Sequence, residues 1–132
     1  MKTLKNICNE KGEEIYMTRK EFQEFIAKGK MILDGATGSN LQKRGMPTGV
    51  CPVVWILAHQ DVLVGLQREY IEAGSDVLYA PTFSGNRIKL EEYGLADQIG
   101  EMNRKLAGLS FEAIRQADTD RQVLVAGDIT MT

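Results

Sequence analysis

The chain has 132 residues, enough for one domain with a substantial hydrophobic core. Its net charge of −2 leaves no basic surface that would indicate a nucleic acid or an anionic membrane as a partner. The first residues lack a signal-peptide core, and no apolar run approaches the roughly 20 residues of a membrane span. These observations predict a globular protein of the cytoplasm.

The two cysteines, Cys8 and Cys51, stand far apart in the sequence. They do not form the Cys-x-x-Cys spacing that is typical of zinc knuckles, and two distant thiols do not indicate a disulfide framework. We therefore predict that both are free structural thiols.

Residues 1–17 show little periodicity and are predicted to form a loose lead-in, with Met17 as an alternative start of translation. A helix is predicted directly afterwards, because Thr18 and Glu21 have the spacing of a capping box. Gly29 is a suitable end for this helix.

Three short apolar segments, residues 31–34, 76–80 and 122–127, are predicted to be buried strands. Apolar residues recur at helical spacing in residues 61–73 and 97–117, which lie between these strands. Strands separated by amphipathic helices indicate parallel pairing through right-handed crossovers. The sequence therefore predicts an α/β fold built from parallel β/α units.

The loops that follow the three strands are predicted to share one edge of the sheet. The strands end at Asp34, Ala80 and Ala126, each 46 residues from the next (34 to 80 and 80 to 126). The first loop is rich in Gly and Pro and is expected to be irregular. Since ligands of parallel α/β proteins bind at the carboxyl ends of the strands, we expect one site shared by the three loops.

Asp34, Gly35 and Ala36 combine an acid with approachable backbone amides, a combination that suits a zwitterion. The carboxylate would bind an ammonium group, and the amides would bind a carboxylate. Alternatively, Asp34 only caps the following turn. Asp128, two residues after the third strand, is either a second acid of the site or another turn residue.

The second loop offers Thr82 as a hydroxyl and Phe83 as a wall of the site, although a phenylalanine at such a position is more often simple packing. His59 precedes a predicted helix, where a capping or surface role is favoured over catalysis. A single His gives no Ser–His or Cys–His pair, and the chain has neither a Gly-x-Gly-x-x-Gly motif nor a Walker loop, so a nucleotide phosphate site has no support.

Several motifs together resemble the homocysteine S-methyltransferase family, in particular its domain in cobalamin-dependent methionine synthases. The resemblance extends over roughly residues 18–130. It is carried by residues 32–38, Leu41-Gln42, Cys51-Pro52, Trp55, His59, residues 70–76, Thr82-Phe83 and residues 86–90.

Membership of this family implies a (β/α)8 TIM barrel, of which this chain would hold the first three strands in residues 18–132. It also implies homocysteine as substrate, with Asp34 binding its ammonium group and the amides around Gly35 and Ala36 binding its carboxylate. Thr82 and Phe83 would line the site from the second loop.

The family activates the homocysteine thiol with zinc held by three cysteines, because the thiolate is the competent nucleophile. The methyl group then comes from methylcobalamin or from a sulfonium or betaine donor. The family's zinc cysteines fall outside the part of the pattern that this chain matches, and Cys8 and Cys51 do not occupy those positions. We therefore expect no metal site in this chain, and no catalytic residue is assigned.

Three interpretations follow. The chain is the N-terminal part of a homocysteine S-methyltransferase and inactive alone, either as a truncated product or as one segment of a split enzyme that a second chain completes. Alternatively, it is a small α/β amino-acid-binding or assembly module without metal chemistry. The third interpretation is a reading frame without independent function.

Overall fold

A computed structural model of the chain describes residues 4–8 and 14–129, with side chains from Met17 onwards. The remainder of the predicted lead-in, and the last part of the third loop from Thr130, lie outside the described residues, as does the side chain of Cys8.

The N-terminal segment contains a β-hairpin, which corrects the prediction of a loose lead-in. Strand β1 (Leu4–Cys8) pairs antiparallel with β2 (Glu14–Met17). The Ile-Tyr-Met run of β2 has the β-branched and aromatic composition of a strand, but it is too short to show a period.

Helix α1 (Arg19–Ala27) confirms the predicted capping box. The Thr18 N–H donates to Glu21 Oε2 at 2.6 Å, and the Glu21 N–H donates to Thr18 Oγ1 at 3.2 Å. Gly29, two residues after the helix, has φ +152°, a conformation that residues with a side chain rarely adopt.

The first loop is not irregular throughout, because it contains two short helices, α2 (Gly38–Lys43) and α3 (Pro52–Ala58). Pro52 occupies the first turn of α3, where its missing N–H costs nothing and its fixed φ suits the helix. The sequence analysis counts Gly38 among the breakers of this stretch, although Gly38 is the first residue of α2.

The two long helices were predicted almost to the residue. Helix α4 (Gln60–Glu72) ends before Gly74, whose φ is +112°. Helix α5 (Arg87–Glu91) and the 3-10 turn Ala96–Gln98 were not predicted. Helix α6 (Ile99–Ala117) follows that turn directly.

The sheet confirms parallel β/α pairing. Strand β3 (Val77–Tyr79) pairs parallel with β4 (Leu124–Ala126), in a register that joins Val77 to Leu124 and Tyr79 to Ala126. The predicted first strand is reduced to one parallel bridge, from Leu33 to Val77. Backbone hydrogen bonds from Asp34 N to Val77 O (2.9 Å) and from Asp76 N to Ile32 O (2.7 Å) flank this bridge.

The parallel sheet has an outer face toward α4 and α6 and an inner face toward α1. On the outer face, Leu78, Val123 and Val125 join the main hydrophobic core. On the inner face, Val77 and Leu124 form a smaller cluster with Met17, against which Phe22, Phe25 and Met31 pack. Strand β1 also lies against β4, so the hairpin and α1 both pack near this part of the sheet.

No helix among the described residues combines the length and apolar character needed to cross a membrane.

Candidate functional site

The loops after the three parallel segments surround one cavity at the carboxyl edge of the sheet. Its volume of about 470 Å³ falls within the roughly 300–1,000 Å³ typical of small-molecule sites. The wall is mostly apolar, with two carboxylates at its rim. It is lined by Asp34, Gly35, Thr37, Gly38, Leu41, Pro52, Val53, Ile56, Tyr79, Ala80, Pro81, Phe83, Ser84 and Asp128.

Asp34 is held at the end of the first parallel segment by hydrogen bonds to the neighbouring strand. Its backbone N–H donates to Val77 O at 2.9 Å, and its carboxylate Oδ2 accepts from the Tyr79 N–H at 3.1 Å. Among the residues that the structure describes, no other residue donates a hydrogen bond to the second carboxylate oxygen, Oδ1, which is therefore available to a ligand. Asp34 therefore does more than cap its own turn, because its side chain joins two strands that are 45 residues apart in sequence.

The environment of Asp34 disfavours its charged form. Burial raises the pKa of the Asp34 carboxyl to about 6, against the lowering effect of the Tyr79 N–H. The negative charge of Asp128 contributes to the increase. A ligand cation placed between the carboxylates of Asp34 and Asp128 would lower the pKa of Asp34, because an opposite charge nearby favours the ionised acid.

Asp128 is positioned by Thr82, so the second and third loops are joined directly. The Thr82 hydroxyl donates to Asp128 O at 2.8 Å, and the Asp128 N–H donates to the same hydroxyl oxygen at 3.2 Å. Both backbone groups of Asp128 are therefore satisfied, while its side chain lines the cavity. Thr82 itself lines a neighbouring cavity of about 440 Å³.

Phe83 borders both cavities, and 62% of its surface is exposed. An aromatic side chain with this exposure is not packed in the core, which favours the predicted role as a wall over simple packing. His59 lies away from the cavity. Its ring stacks on Trp55 with centroids 4.1 Å apart, and its Nδ1 lies 2.9 Å from Trp55 O, which agrees with the expected surface role.

Only two of the three residues 35–37 line the cavity. Gly35 and Thr37 line the cavity, whereas Ala36 does not. The Ala36 carbonyl instead accepts hydrogen bonds from Tyr70 Oη at 2.8 Å and from Asn40 Nδ2 at 2.7 Å. Of the six residues predicted for the site, four border this cavity, Thr82 is joined to it through Asp128, and Ala36 does not border it.

Sequence reasoning missed three polar residues behind the cavity: Asn40, Tyr70 and Gln67. Gln67 is almost completely buried, and its Nε2 donates to Tyr79 O at 2.9 Å, so it binds the backbone of the residue whose N–H donates to Asp34. The signal for Gln67 was a polar residue at a core position of a helix, because buried polar groups need partners. Tyr70 was assigned only to the apolar face of its helix.

The described residues do not fit the zinc site that the family implies. Within residues 4–8 and 14–129, no group of three or more His, Cys, Asp or Glu could hold a metal ion. Cys51 is buried in the main hydrophobic core, and the Nδ1 of His59 faces the Trp55 carbonyl.

Comparison with known proteins identifies the family. The family model "Homocysteine S-methyltransferase" matches residues 31–132. Methionine synthase of Mycobacterium leprae is 32% identical over 90 residues, which are 62% of this chain and 7% of that protein. Betaine–homocysteine S-methyltransferase 1 of Bos taurus is 30% identical over 118 residues, 86% of this chain and 28% of that protein.

Among solved structures, the metallated form of the homocysteine methyltransferase MmuM from Escherichia coli superposes with a TM-score of 0.65 at 20% identity. The superposition covers 80% of this chain and 40% of MmuM, and at this identity it shows a shared fold. The chain spans less than a third of the two curated relatives described above. Because the family model covers most of its residues, the chain belongs to the homocysteine S-methyltransferase family.

Proposed function

We propose that this chain is the N-terminal part of a homocysteine S-methyltransferase and that it holds the amino-acid end of homocysteine. Its parallel units would be the first three of a (β/α)8 barrel. The proposal is carried by one observation: in a chain of this family, two carboxylates and a turn of approachable backbone amides border a single, mostly apolar cavity.

The ammonium group of homocysteine is assigned to Asp34. Its Oδ2 is fixed by the Tyr79 N–H, which aims Oδ1 at the ligand. Asp128, whose charge already acts on Asp34, approaches the same cation from the third loop. Charge-assisted hydrogen bonds of this kind are roughly twice as strong as neutral ones.

The carboxylate of homocysteine is assigned to the backbone amides at residues 35–37. Successive backbone N–H groups in a turn form a concave site for anions. Gly35 brings its backbone to the cavity without a side chain, and Thr37 follows it. The apolar wall, which includes Val53, Ile56 and Phe83, would contact the methylene groups of the substrate.

The complete reaction is the transfer of a methyl group to the homocysteine thiol, giving methionine. Zinc, when bound in the family domain, supplies the thiolate at neutral pH. We propose that this chain binds substrate without turning it over and that residues outside the matched part of the family, in a second chain, provide the metal ligands. Cobalamin is proposed as the methyl carrier by analogy with methionine synthase, and the cytoplasm as the compartment.

Isothermal titration calorimetry of the purified chain with homocysteine tests the proposal. Replacing Asp34 by Asn keeps the shape of the side chain and removes its charge, so the affinity should fall about 10- to 100-fold, as expected for a hydrogen bond to a charged group. Asp97→Asn, at an exposed position of the 3-10 turn, is the matched control and should bind like the unsubstituted chain.

Asp128→Asn separates the two carboxylates. If both face the ammonium group, this variant should lose about 3- to 10-fold in affinity, less than Asp34→Asn. A folded unsubstituted chain that releases no heat with homocysteine, or an Asp34→Asn variant with unchanged affinity, contradicts the proposed function.

A further inference from the structure

We propose that Tyr70 and Asn40, which both bind the Ala36 carbonyl, are positioning residues that aim the Thr37 N–H at the carboxylate of an α-amino acid. The inference rests on the proposed function, because it concerns the carboxylate end of the same site. It adds two residues from helices α4 and α2 that do not line the cavity themselves.

The three groups form a closed triangle of hydrogen bonds. Tyr70 Oη donates to Ala36 O at 2.8 Å, and Asn40 Nδ2 donates to the same oxygen at 2.7 Å. Asn40 Nδ2 also donates to Tyr70 Oη at 3.0 Å. Asn40 Nδ2 and the Tyr70 hydroxyl therefore both donate to the Ala36 carbonyl, which is held from two directions.

Fixing the Ala36 carbonyl also fixes the Thr37 N–H. The peptide that joins the two residues is planar and trans, so its C=O and N–H point in opposite directions. The carbonyl points toward Tyr70, and the N–H must point away from it. Thr37 lines the cavity while Ala36 does not, and the Thr37 N–H donates to no acceptor in the part of the chain that the structure describes.

Gly35 belongs to the same unit, because it allows the Tyr70 ring to approach the loop. A Cβ atom on Gly35 would lie 2.8 Å from Tyr70 Oη and 3.0 Å from Tyr70 Cε1, closer than ordinary contact. Only a residue without a side chain lets the hydroxyl reach the Ala36 carbonyl from this side. The missing side chain of Gly35 therefore leaves space for the Tyr70 hydroxyl as well as for the ligand.

A loop whose peptide is already oriented loses less conformational freedom when it binds an anion, which raises the affinity for that anion. This effect acts on the carboxylate of the ligand and not on its ammonium group, which Asp34 binds. A purely structural role of Tyr70 would instead alter the whole site, and both ends of the ligand would be affected equally.

The test compares two ligands, homocysteine and 3-aminopropane-1-thiol, which is homocysteine without its carboxylate. Tyr70→Phe removes the hydroxyl and keeps the ring. We expect this variant to bind homocysteine about 3- to 10-fold more weakly in calorimetry, the range of one lost hydrogen bond, and to bind the carboxylate-free amine unchanged. Tyr93→Phe, at an exposed tyrosine, is the control and should alter neither affinity.

Asn40→Ala removes the second donor to the Ala36 carbonyl and should show the same selective loss, which keeps the test open if Tyr70→Phe does not fold. Equal affinity of the variant and the unsubstituted chain for homocysteine overturns the inference, as does an equal loss for both ligands. Both results leave the proposed function intact. A folded, unsubstituted chain that binds neither ligand overturns the proposed function, and the inference falls with it.

Discussion

The inner face of the parallel sheet has one closed end and one open end, although the same two strands form both. At the amino end, Val77 and Leu124 are 4% and 1% exposed beneath Met17 and the phenylalanines of α1. At the carboxyl end, two residues further along β3, Tyr79 is 40% exposed beside Asp34. The closed end contributes stability, whereas the open end leaves backbone and carboxylate groups accessible to a ligand.

The largest expected effect is on stability at the closed end. Leu124→Ala should lower the free energy of unfolding by about 3 kcal/mol, because it leaves a cavity beneath Met17 and α1. Denaturant unfolding measures this loss, with Ile88→Ala as a control at an exposed position. If the two ends act separately, the affinity for homocysteine under conditions where the variant is folded stays unchanged. A parallel loss of affinity would contradict that separation.

The second effect is the pH dependence of the open end. The pKa of Asp34, about 6, lies above the ordinary value of an aspartate. Homocysteine affinity should therefore rise between pH 5 and pH 7, as Asp34 becomes charged, and Asp34→Asn should remove this rise. Calorimetry at several pH values measures it. An equally steep rise in Asp34→Asn would assign the dependence to another group.

The same pKa predicts the effect of Asp34 on folding stability. Since the folded-state pKa is raised, the protonated carboxyl favours folding at low pH, and this contribution is lost as the pH rises from about 4 through 6. The stability of Asp34→Asn relative to the unsubstituted chain should thus increase by about 1 kcal/mol over this range, after allowance for solvent screening of a half-buried group. Unfolding curves at pH 4 and pH 7 measure the difference. A constant difference would contradict the raised pKa.

A smaller effect concerns the helix that covers the closed end. Thr18→Ala removes the cap of α1 and should cost about 1 kcal/mol in unfolding free energy, with no change in homocysteine affinity. Ser39→Ala, at an exposed position of α2, provides the comparison. A Thr18→Ala variant as stable as Ser39→Ala would show that the capping box does not stabilise α1.

The smallest effect is expected at Thr82, which joins the two loops of the open end. Thr82→Val keeps the shape and leaves the N–H and C=O of Asp128 without their partner. Because water can replace part of these hydrogen bonds at a half-buried site, we expect a loss of under about 1 kcal/mol in stability and about 2-fold in homocysteine affinity. Thr119→Val is the matched control, because Thr119 is also half-buried and its hydroxyl accepts a hydrogen bond from the Arg121 N–H, but it borders neither cavity. An affinity loss as large as that of Asp34→Asn would place Thr82 in direct contact with the ligand.

The sequence predicted those parts of the fold whose pattern is long. Helices α4 and α6 repeat their apolar residues over several turns, and the parallel pairing follows from their alternation with strands. The short helices α2, α3 and α5 contain at most two turns, so their periodicity does not emerge. In α3, Pro52 also looks like a breaker although it occupies the one helical turn that accepts proline.

The site was predictable to the extent that it depends on the strand ends. The shared edge brings Asp34 and Asp128 to the same cavity although 94 residues separate them (34 to 128). The supporting residues follow no such rule. Tyr70 and Gln67 lie on a helix whose apolar spacing assigns them to the core, and only the three-dimensional packing shows that their polar atoms bind the backbone of residues 36 and 79.

The stacked pair Trp55 and His59 gives the chain an internal optical reporter. Trp55 is its only tryptophan, and it lies on α3 between Val53 and Ile56, two residues of the cavity wall. Any ligand that shifts α3 must change the environment of this one indole ring. Tryptophan fluorescence of the unlabelled chain therefore reports any ligand-induced movement of α3, the helix that carries two residues of the cavity wall.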